Sequence, residues 1–465
     1  LQPEGGGFSI NPGKILAGAA KWLIKAPFLD YDNIQFQFQQ STNSQVGGVV
    51  GETGFLQFWT SPPLFGNPGD PSRGPSQLYQ LGLISDPNPL SGRIAFKSSF
   101  PFIGIENYRR GYRIPSGRGI TAQFIDDFRQ NNTVSIRTQR KLWEGAKLDL
   151  TWDMGWDINK NYQISTDSLG RQSINTVTIT GNSRRSFMSM PDWIFFSAFG
   201  TNIEAVNRKY ETLKAENPGA NESELLAEAF EQGLEVVPFF SDLAGIPLPR
   251  LNWAFKWDGL EKLPIFEDLV KRLSIEHRYT STIETRIRNN QDGGIITESK
   301  RVTQNFQPFL GVSMSFQKLW KGDLSLTTRW GKQNTIELNT SSNNIVQTST
   351  NEFTASLSYR KTGFEVPMLG LRLKNDLEVT VSFSRQNNSQ LIFDIKELDK
   401  GGTPREGTTR TTLEPRIRYV LSRRVTGSLF YRYQRTSPDD LAGSRIPGTT
   451  IHEGGLEIRL TISGS

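Results

Sequence analysis

The sequence predicts an all-β fold: a large antiparallel transmembrane β-barrel, of which this chain supplies about 16–18 strands, with one short helical insert. Three observations predict it. Apolar and polar residues alternate over long segments, aromatic residues collect at the ends of those segments, and tight turns at one end oppose long connections at the other.

The alternation is clearest in the second half. Leu324, Leu326, Thr328 and Trp330 share one parity, with Ser325, Thr327 and Arg329 on the other. Phe353, Ala355, Leu357 and Tyr359 alternate with Thr354, Ser356, Ser358 and Arg360. Leu377, Val379, Val381 and Phe383 do so with Glu378, Thr380, Ser382 and Ser384. The last segment repeats the pattern, with Leu456, Ile458, Leu460 and Ile462 against Glu457, Arg459 and Thr461. Side chains in a strand switch faces at every residue, so each segment has one apolar and one polar face.

A soluble β-sandwich buries such apolar faces against each other, whereas a membrane barrel turns them to lipid and keeps the polar faces inside. The segments often run for about ten residues or more, where sandwich strands run about 5–6. Trp152 and Trp156, Trp253 and Trp257, and Tyr431 and Tyr433 stand at strand ends, where an interfacial girdle would lie. The polar parity is rich in Arg, Glu, Gln and Ser, which suits a water-filled lumen. Glu378, Thr380, Ser382, Arg416, Arg418, Glu457 and Arg459 are therefore expected to face the lumen. Leu377, Val379, Val381, Phe383, Leu456, Ile458 and Leu460 are expected to face lipid.

The connections form a second pattern. Long ones are expected at 287–296, 397–410 and 436–448; the short turn Ser422–Arg424 lies at the opposite end. With the short turn fall two related stretches, KLWEG at 141–145 and KLWKG at 318–322. Outer-membrane barrels have short periplasmic turns and longer external loops. The repeated motif thus reads as a periplasmic hairpin turn, with Trp143 and Trp320 anchoring at the lipid–water boundary and the glycine permitting the turn backbone. On this count the C-terminus is periplasmic and the chain resides in the outer membrane.

Composition narrows the chemistry. The 465 residues contain no cysteine, which removes disulfides, thiolate metal sites and cysteine nucleophiles, and only two histidines, His277 and His452. Basic residues exceed acidic ones by 53 − 47 = 6, but the two signs are interleaved along the whole length, unlike the clustered charge of a nucleic-acid binder. No apolar run approaches the ~20 residues of a membrane helix. A mean hydropathy of −0.45 is compatible with a barrel, whose strands show lipid only every second side chain. The first residues carry no signal-peptide pattern, as expected of a mature or truncated product.

Three regions follow. Residues 1–200 hold N-terminal barrel strands with a long Gly/Pro-rich loop at 41–92, 201–249 an extracellular helical insert, and 250–465 the C-terminal strands. In the insert, residues 202–233 read as two helices around Pro218-Gly219. Asn221 and Glu224 form a capping box for the second, Leu226 and Phe230 share a face, and Gly233 is the expected stop. No catalytic, metal-binding or cofactor-binding residue is assigned. Asp126-Asp127 and Asp439-Asp440 have no placed partner, His277 lies on the apolar parity as a packing residue, and GNPGD at 66–70 is neither a phosphate nor a calcium loop.

One region resembles a known family. It comprises Pro249 to Trp253, Asp258-Gly259-Leu260, Lys262-Leu263-Pro264, and the segment with His277, Tyr279 and Ser281-Thr282. The likeness extends to FQPFLGVSMSF at 306–316, NEFTASLSYR at 351–360, SIRTQRKLWEGAKLDLTWD at 135–153 and GPSQLYQLGL at 74–83. In their order and spacing these stretches resemble the C-terminal part of SprA/Sov, the outer-membrane translocon family of the Bacteroidetes type IX secretion system. The resemblance implies a very large single-chain barrel that passes folded client proteins bearing type IX C-terminal signal domains. It also implies a lateral opening toward a PorV-like partner barrel and a periplasmic plug protein. The chain departs from many outer-membrane proteins in ending Ile462-Ser463-Gly464-Ser465 rather than on an aromatic residue. Two other readings stand beside this one: a barrel for small-molecule uptake or lipopolysaccharide export, and a soluble surface-displayed β-protein.

Overall fold

The computed structural model describes residues 33–45, 93–97, 106–110, 124–166, 172–189, 203–235, 250–289, 294–316, 321–342, 344–366, 371–395, 402–421, 424–438 and 447–461. Trp320, Asp439-Asp440, the 66–70 and 74–83 stretches and nearly all of the 41–92 loop lie outside them.

The alternating segments are strands. In chain order they are β1 (Ile34–Gln45), β2 (Arg93–Lys97), β3 (Glu106–Arg110), β4 (Phe124–Trp143), β5 (Ala146–Thr166), β6 (Gln172–Ser186) and β7 (Asn252–Asp258). Then come β8 (Val270–Asn289), β9 (Ile295–Phe316), β10 (Asp323–Asn339), β11 (Asn344–Val366), β12 (Leu371–Asp394), β13 (Thr403–Val420), β14 (Val425–Pro438) and β15 (Thr449–Leu460). Two helices, α1 (Ile203–Glu216) and α2 (Glu222–Leu234), fall between β6 and β7. These are fifteen strands among the described residues, where 16–18 were expected. The strands are long: β11 has 23 residues and β12 has 24.

Thirteen strands form one antiparallel sheet, and β2 and β3 form a separate hairpin. The sheet runs β1-β4-β5-β6-β8-β9-β10-β11-β12-β13-β14-β15, with β7 continuing the slot of β6 between β5 and β8. Next neighbours in this order are nearly all next neighbours in sequence, so the fold is a meander. Among the described residues β1 pairs only with β4 and β15 only with β14, which leaves the sheet with two edges.

The strand bounds divide the connections between two ends of the sheet, and of the expected long connection 397–410, residues 403–410 are strand β13. At one end stand Trp143 and Ala146, Phe316 and Asp323, Val366 and Leu371, and Val420 and Val425, together with the 3-10 turn Leu260–Lys262. At the other stand Thr166 and Gln172, Asn289 and Ile295, Asn339 and Asn344, Asp394 and Thr403, and Pro438 and Thr449. The 340–343 turn is tight, so the second end is not uniformly long; Asn339 closes this turn by accepting from Ser341 N and Ser342 N.

The repeated Leu-Trp-x-Gly motif is used in two ways. In the first, Gly145 takes a left-handed φ of 77°, as expected, and its carbonyl accepts from Asp258 N at 2.9 Å. Trp143 packs edge-on to Trp257 at 5.2 Å and beside Phe255 at 6.0 Å. In the second it is Lys321 that takes the positive φ, at 60°. Gly322 there serves the close approach of the Tyr359 ring, which a Cβ would meet at 2.6 Å.

The largest buried cluster is not inside the sheet but between it and the helices. Val206, Tyr210, Leu226, Phe230 and Leu234 pack on Ile283, Val302, Ile336, Leu338, Ile345 and Phe393, which come from β8 to β12. Asn221 caps α2, accepting from Ser223 N at 2.9 Å, one residue short of the Glu224 position that the expected capping box uses. Gly233 does not stop the helix. It lies buried within α2, where a Cβ would stand 2.6 Å from Val206 Cα, so its role is to let the two helices touch.

Candidate functional site

Residues directly opposite one another in an antiparallel pair share a face, so the register resolves the sheet into two surfaces. The first is predominantly polar. On β12, Glu378, Thr380 and Ser382 lie opposite Arg418, Arg416 and Glu414 of β13. Glu457 and Arg459 of β15 lie opposite Ser428 and Thr426 of β14, on the same surface. The structure thus brings all seven residues of this set onto one face.

Charges on that face are matched within it. Glu414 receives Arg416 at 3.0 Å and Arg432 at 2.8 Å, and Arg432 also reaches Glu453 at 3.0 Å. Arg418 pairs with Glu378 at 3.8 Å and Arg459 with Glu457 at 3.7 Å. Farther across the sheet, Arg329 pairs with Glu276 at 2.8 Å and Arg301 with Glu337 at 2.7 Å. These pairs stand in contact with solvent, which screens them, so each adds little to stability. Their larger effect is a surface that is strongly hydrated yet locally neutral.

The opposite surface is banded. Leu377, Val379, Val381 and Phe383 lie in register with Tyr359, Leu357 and Ala355 on one side and with Tyr419, Ile417 and Leu413 on the other. The row continues through Leu429 to Leu456, with Ile458 and Leu460 beside it. At the β15 edge these last three are 70, 63 and 61 % exposed, and on β1 Phe36 is 67 % exposed, so the apolar row reaches both edges. On β10 the row runs from Leu324 to Trp330, roughly 20 Å along the strand at about 3.3 Å per residue.

Above Trp330 the same face changes character. Asn351, Arg385 and Thr411 replace the apolar residues. An aromatic belt marks the change: Trp253 stacks on Tyr279 at 4.1 Å, Tyr279 meets Phe306 at 4.9 Å, and Phe309 meets Trp330 at 5.0 Å. His277 sits in this belt, its Nδ1 2.6 Å from Phe309 O. A ladder of amides follows, in which Gln304 donates to Ser189 Oγ, Asn334 donates to Gln304, and Gln347 and Ser349 donate to Asn334. Beyond the ladder the face turns apolar again, and there the helices cover it.

Docking of the helices includes one partly buried ion cluster. Glu231 of α2 receives Arg185 at 2.6 Å and Lys300 at 2.5 Å. Burial pulls the Glu231 carboxyl upward, but Lys300 and Arg185 together win and hold it below the ordinary carboxylate range.

Sequence reasoning missed the helix-docking residues on β8 to β12 and the side chains that hold the β6–β7 junction. The first left a signal in strand length, since β10 to β12 run far beyond the 9–11 residues that cross a bilayer. Asp126 and Asp127 are consecutive ladder positions of β4, in register with Tyr162 and Asn161 of β5. Among the described residues, no group of three or more His, Asp and Glu side chains is placed to hold a metal ion.

No family model matches the chain, and no curated protein matches it. Among solved structures, it is similar to the β domain of the Bordetella autotransporter BrkA, at 8 % identity and a TM-score of 0.20, over 73 % of this chain and 92 % of that one. The trimer form of OmpT, an outer membrane protein of Vibrio cholerae, gives 8 % identity and a TM-score of 0.19, over 73 % and 99 %. TM-scores this low carry no argument, and the reading of the two faces rests on their own chemistry.

Proposed function

We propose that this chain is a wall segment of an outer-membrane transport barrel, and that its polar face lines a water-filled, protein-conducting channel. The observation that carries the reading is the contrast between the faces. One is polar along the strands, while the other carries, below its helix-covered upper part, an apolar band bordered by aromatic residues. A band with an aromatic border is what a strand presents to hydrocarbon and to the headgroup layer. Among the described residues no helix is long and apolar enough to cross a membrane.

In this reading Leu377, Val379, Val381, Phe383, Leu456, Ile458 and Leu460 meet lipid. Glu378, Thr380, Ser382, Arg416, Arg418, Glu457 and Arg459 meet water in the lumen. The turn end, with Trp143, is periplasmic, and the upper strand halves and helices stand outside the cell. Unpaired backbone in hydrocarbon costs several kcal/mol per group. The β1 and β15 edges therefore pair with further strands, and the sheet is an arc of a larger barrel.

The finer reading is a type IX secretion translocon. It is supported by the ordered resemblance over 74–83, 135–153, 249–282, 306–316 and 351–360 to the SprA/Sov family. A wide arc with a neutral, hydrated face suits passage of folded clients, which a strongly charged wall would trap. A PorV-like barrel and a periplasmic plug are the partners it implies.

The test is deletion of the gene region encoding this chain, followed by proteomics of the culture medium and membrane fractions. The expected result is loss from the medium of proteins carrying type IX C-terminal signal domains, with the protein itself resisting carbonate extraction. Retention in membranes with normal secretion would leave a different outer-membrane transporter. Release by carbonate would overturn the membrane reading altogether.

A further inference from the structure

The helical insert does not sit in a loop; it interrupts a strand. On β8, Arg185 and Ser186 of β6 lie opposite Ile283 and Thr282, and Phe187 N donates to Ser281 O at 2.9 Å. The next β8 residue, Thr280, falls opposite Asn252, because Trp253 of β7 lies opposite Tyr279. On the other side, Arg185 lies opposite Met154 and Asn252 opposite Thr151, so Ser186 and Phe187 fill the positions of Asp153 and Trp152. Both neighbours agree: Phe187 and Asn252 are consecutive ladder positions, although 188–251 intervene in the chain.

Side chains hold this junction together. The Ser186 hydroxyl accepts from Asp153 N at 2.9 Å and from Asn252 Nδ2 at 3.2 Å. Asn252 Oδ1 accepts from Ser281 N at 2.8 Å. Both residues are almost fully buried. Just past the exit, Tyr279 donates its hydroxyl to Ser189 O at 2.7 Å. Buried amides and hydroxyls satisfied in this way keep the ladder continuous across the break.

The other end of the excursion is just as specific. Besides Phe187 on their own strand, the helices share one buried cluster with β8 to β12, through Ile283, Val302, Ile336, Leu338, Ile345 and Phe393. Glu231 ties α2 to β6 through Arg185 and to β9 through Lys300. Five neighbouring strands thus share one buried cover above the aromatic belt, and among the described residues none of β13 to β15 joins it.

We infer that residues 188–251 are a module spliced into one strand of an otherwise complete sheet, and that it acts as a clasp holding the upper parts of β8 to β12 as one rigid sector. The inference is independent of what the channel carries. It is tested by hydrogen exchange on the whole chain in detergent, in three forms. In the native chain the Phe187 amide exchanges as slowly as its ladder neighbours; exchange at a loop-like rate overturns the spliced strand. In Phe230→Ala, which trims the centre of the helix–sheet cluster, amides of Val302, Leu338 and Ile345 exchange at least tenfold faster while those of Leu326 and Leu357 do not change. Unchanged exchange at the first three overturns the clasp. In the chain with Phe187 joined directly to Asn252, the sheet still forms and the same upper amides are the ones that lose protection. Failure of that chain to fold overturns the claim that the sheet is complete without the module.

Discussion

Gly145 occupies the two-residue turn between β4 and β5 with φ 77°, and a Cβ there would lie 1.8 Å from Asp258 O. Gly363 has a similar φ of 71° but opens onto empty space. The pair separates backbone strain from collision. Gly363→Ala is expected to lose only about 1 kcal/mol, the strain of a left-handed alanine. Gly145→Ala adds displacement of β7 and is expected to lose about 3 kcal/mol or more. Denaturation midpoints of the two variants in one detergent check the order. Glu231 is the second residue whose surroundings set a measurable behaviour. Its carboxyl is held below its ordinary value of 4.5, so its contribution is present above that value and lost as pH falls through the depressed one. Acid is therefore expected to loosen the helices from the sheet before the sheet itself unfolds. Tryptic nicking between 203 and 235, followed through that range, reads it. In Glu231→Gln the nicking is expected to be high already at neutral pH, because Lys300 and Arg185 then lack their carboxylate.

Strands β12 and β13 carry the sharpest element-scale prediction. Val381 lies opposite Leu357 and Pro415 in the apolar band, and Ser382 lies opposite Ser356 and Glu414 on the polar face. Val381→Arg is expected to cost about 2–4 kcal/mol where the band meets hydrocarbon. Ser382→Arg, beside a carboxylate and water, is expected to cost less than about 0.5 kcal/mol. Heat-resistant migration of the folded form in detergent gels distinguishes them, and equal losses would sink the assignment of faces. The parity behind this prediction was legible in the sequence, because a strand's own geometry assigns alternate residues to alternate faces. The second use of the apolar parity was not. Ile336, Leu338 and Ile345 continue the same rows as Leu324, Leu326 and Leu357, yet they contact α1 and α2. Nothing local separates a leucine that meets a helix from one that lies in the lower band. Gly233 was misread for a related reason: a glycine near a helix end resembles a stop signal unless the approaching backbone of Val206 is known.

At the scale of the whole molecule the sheet is a meander with a polar and a banded face, bounded by β1 and β15. The Arg and Glu residues of the polar face neutralise one another in pairs, so a lumen lined by it selects weakly between cations and anions. The full-length protein in a planar bilayer, under a salt gradient, is expected to show a reversal potential near zero. Strong selectivity would mean that other residues line the conducting path. The all-β class, the tight-turn end and the helical insert could be read from residue order, since each depends on neighbours a few positions apart. Which strand the insert interrupts could not, because the 188–251 excursion separates two residues whose adjacency exists only in the ladder.

Alternation and turn residues by themselves determined that the chain forms long antiparallel strands and which side chains stand together on each face. Both follow from the two-residue period of an extended backbone, which every segment carries within itself. Only the tertiary structure decided what covers each part of a face: α1 and α2 above the aromatic belt on β8 to β12, and the 3-10 turn Leu260–Lys262 against Val270 and Leu273 at the opposite end. It alone decided that Phe187 and Asn252 are neighbours in one strand. Coverage and continuity are contacts between distant segments, and no local period encodes them.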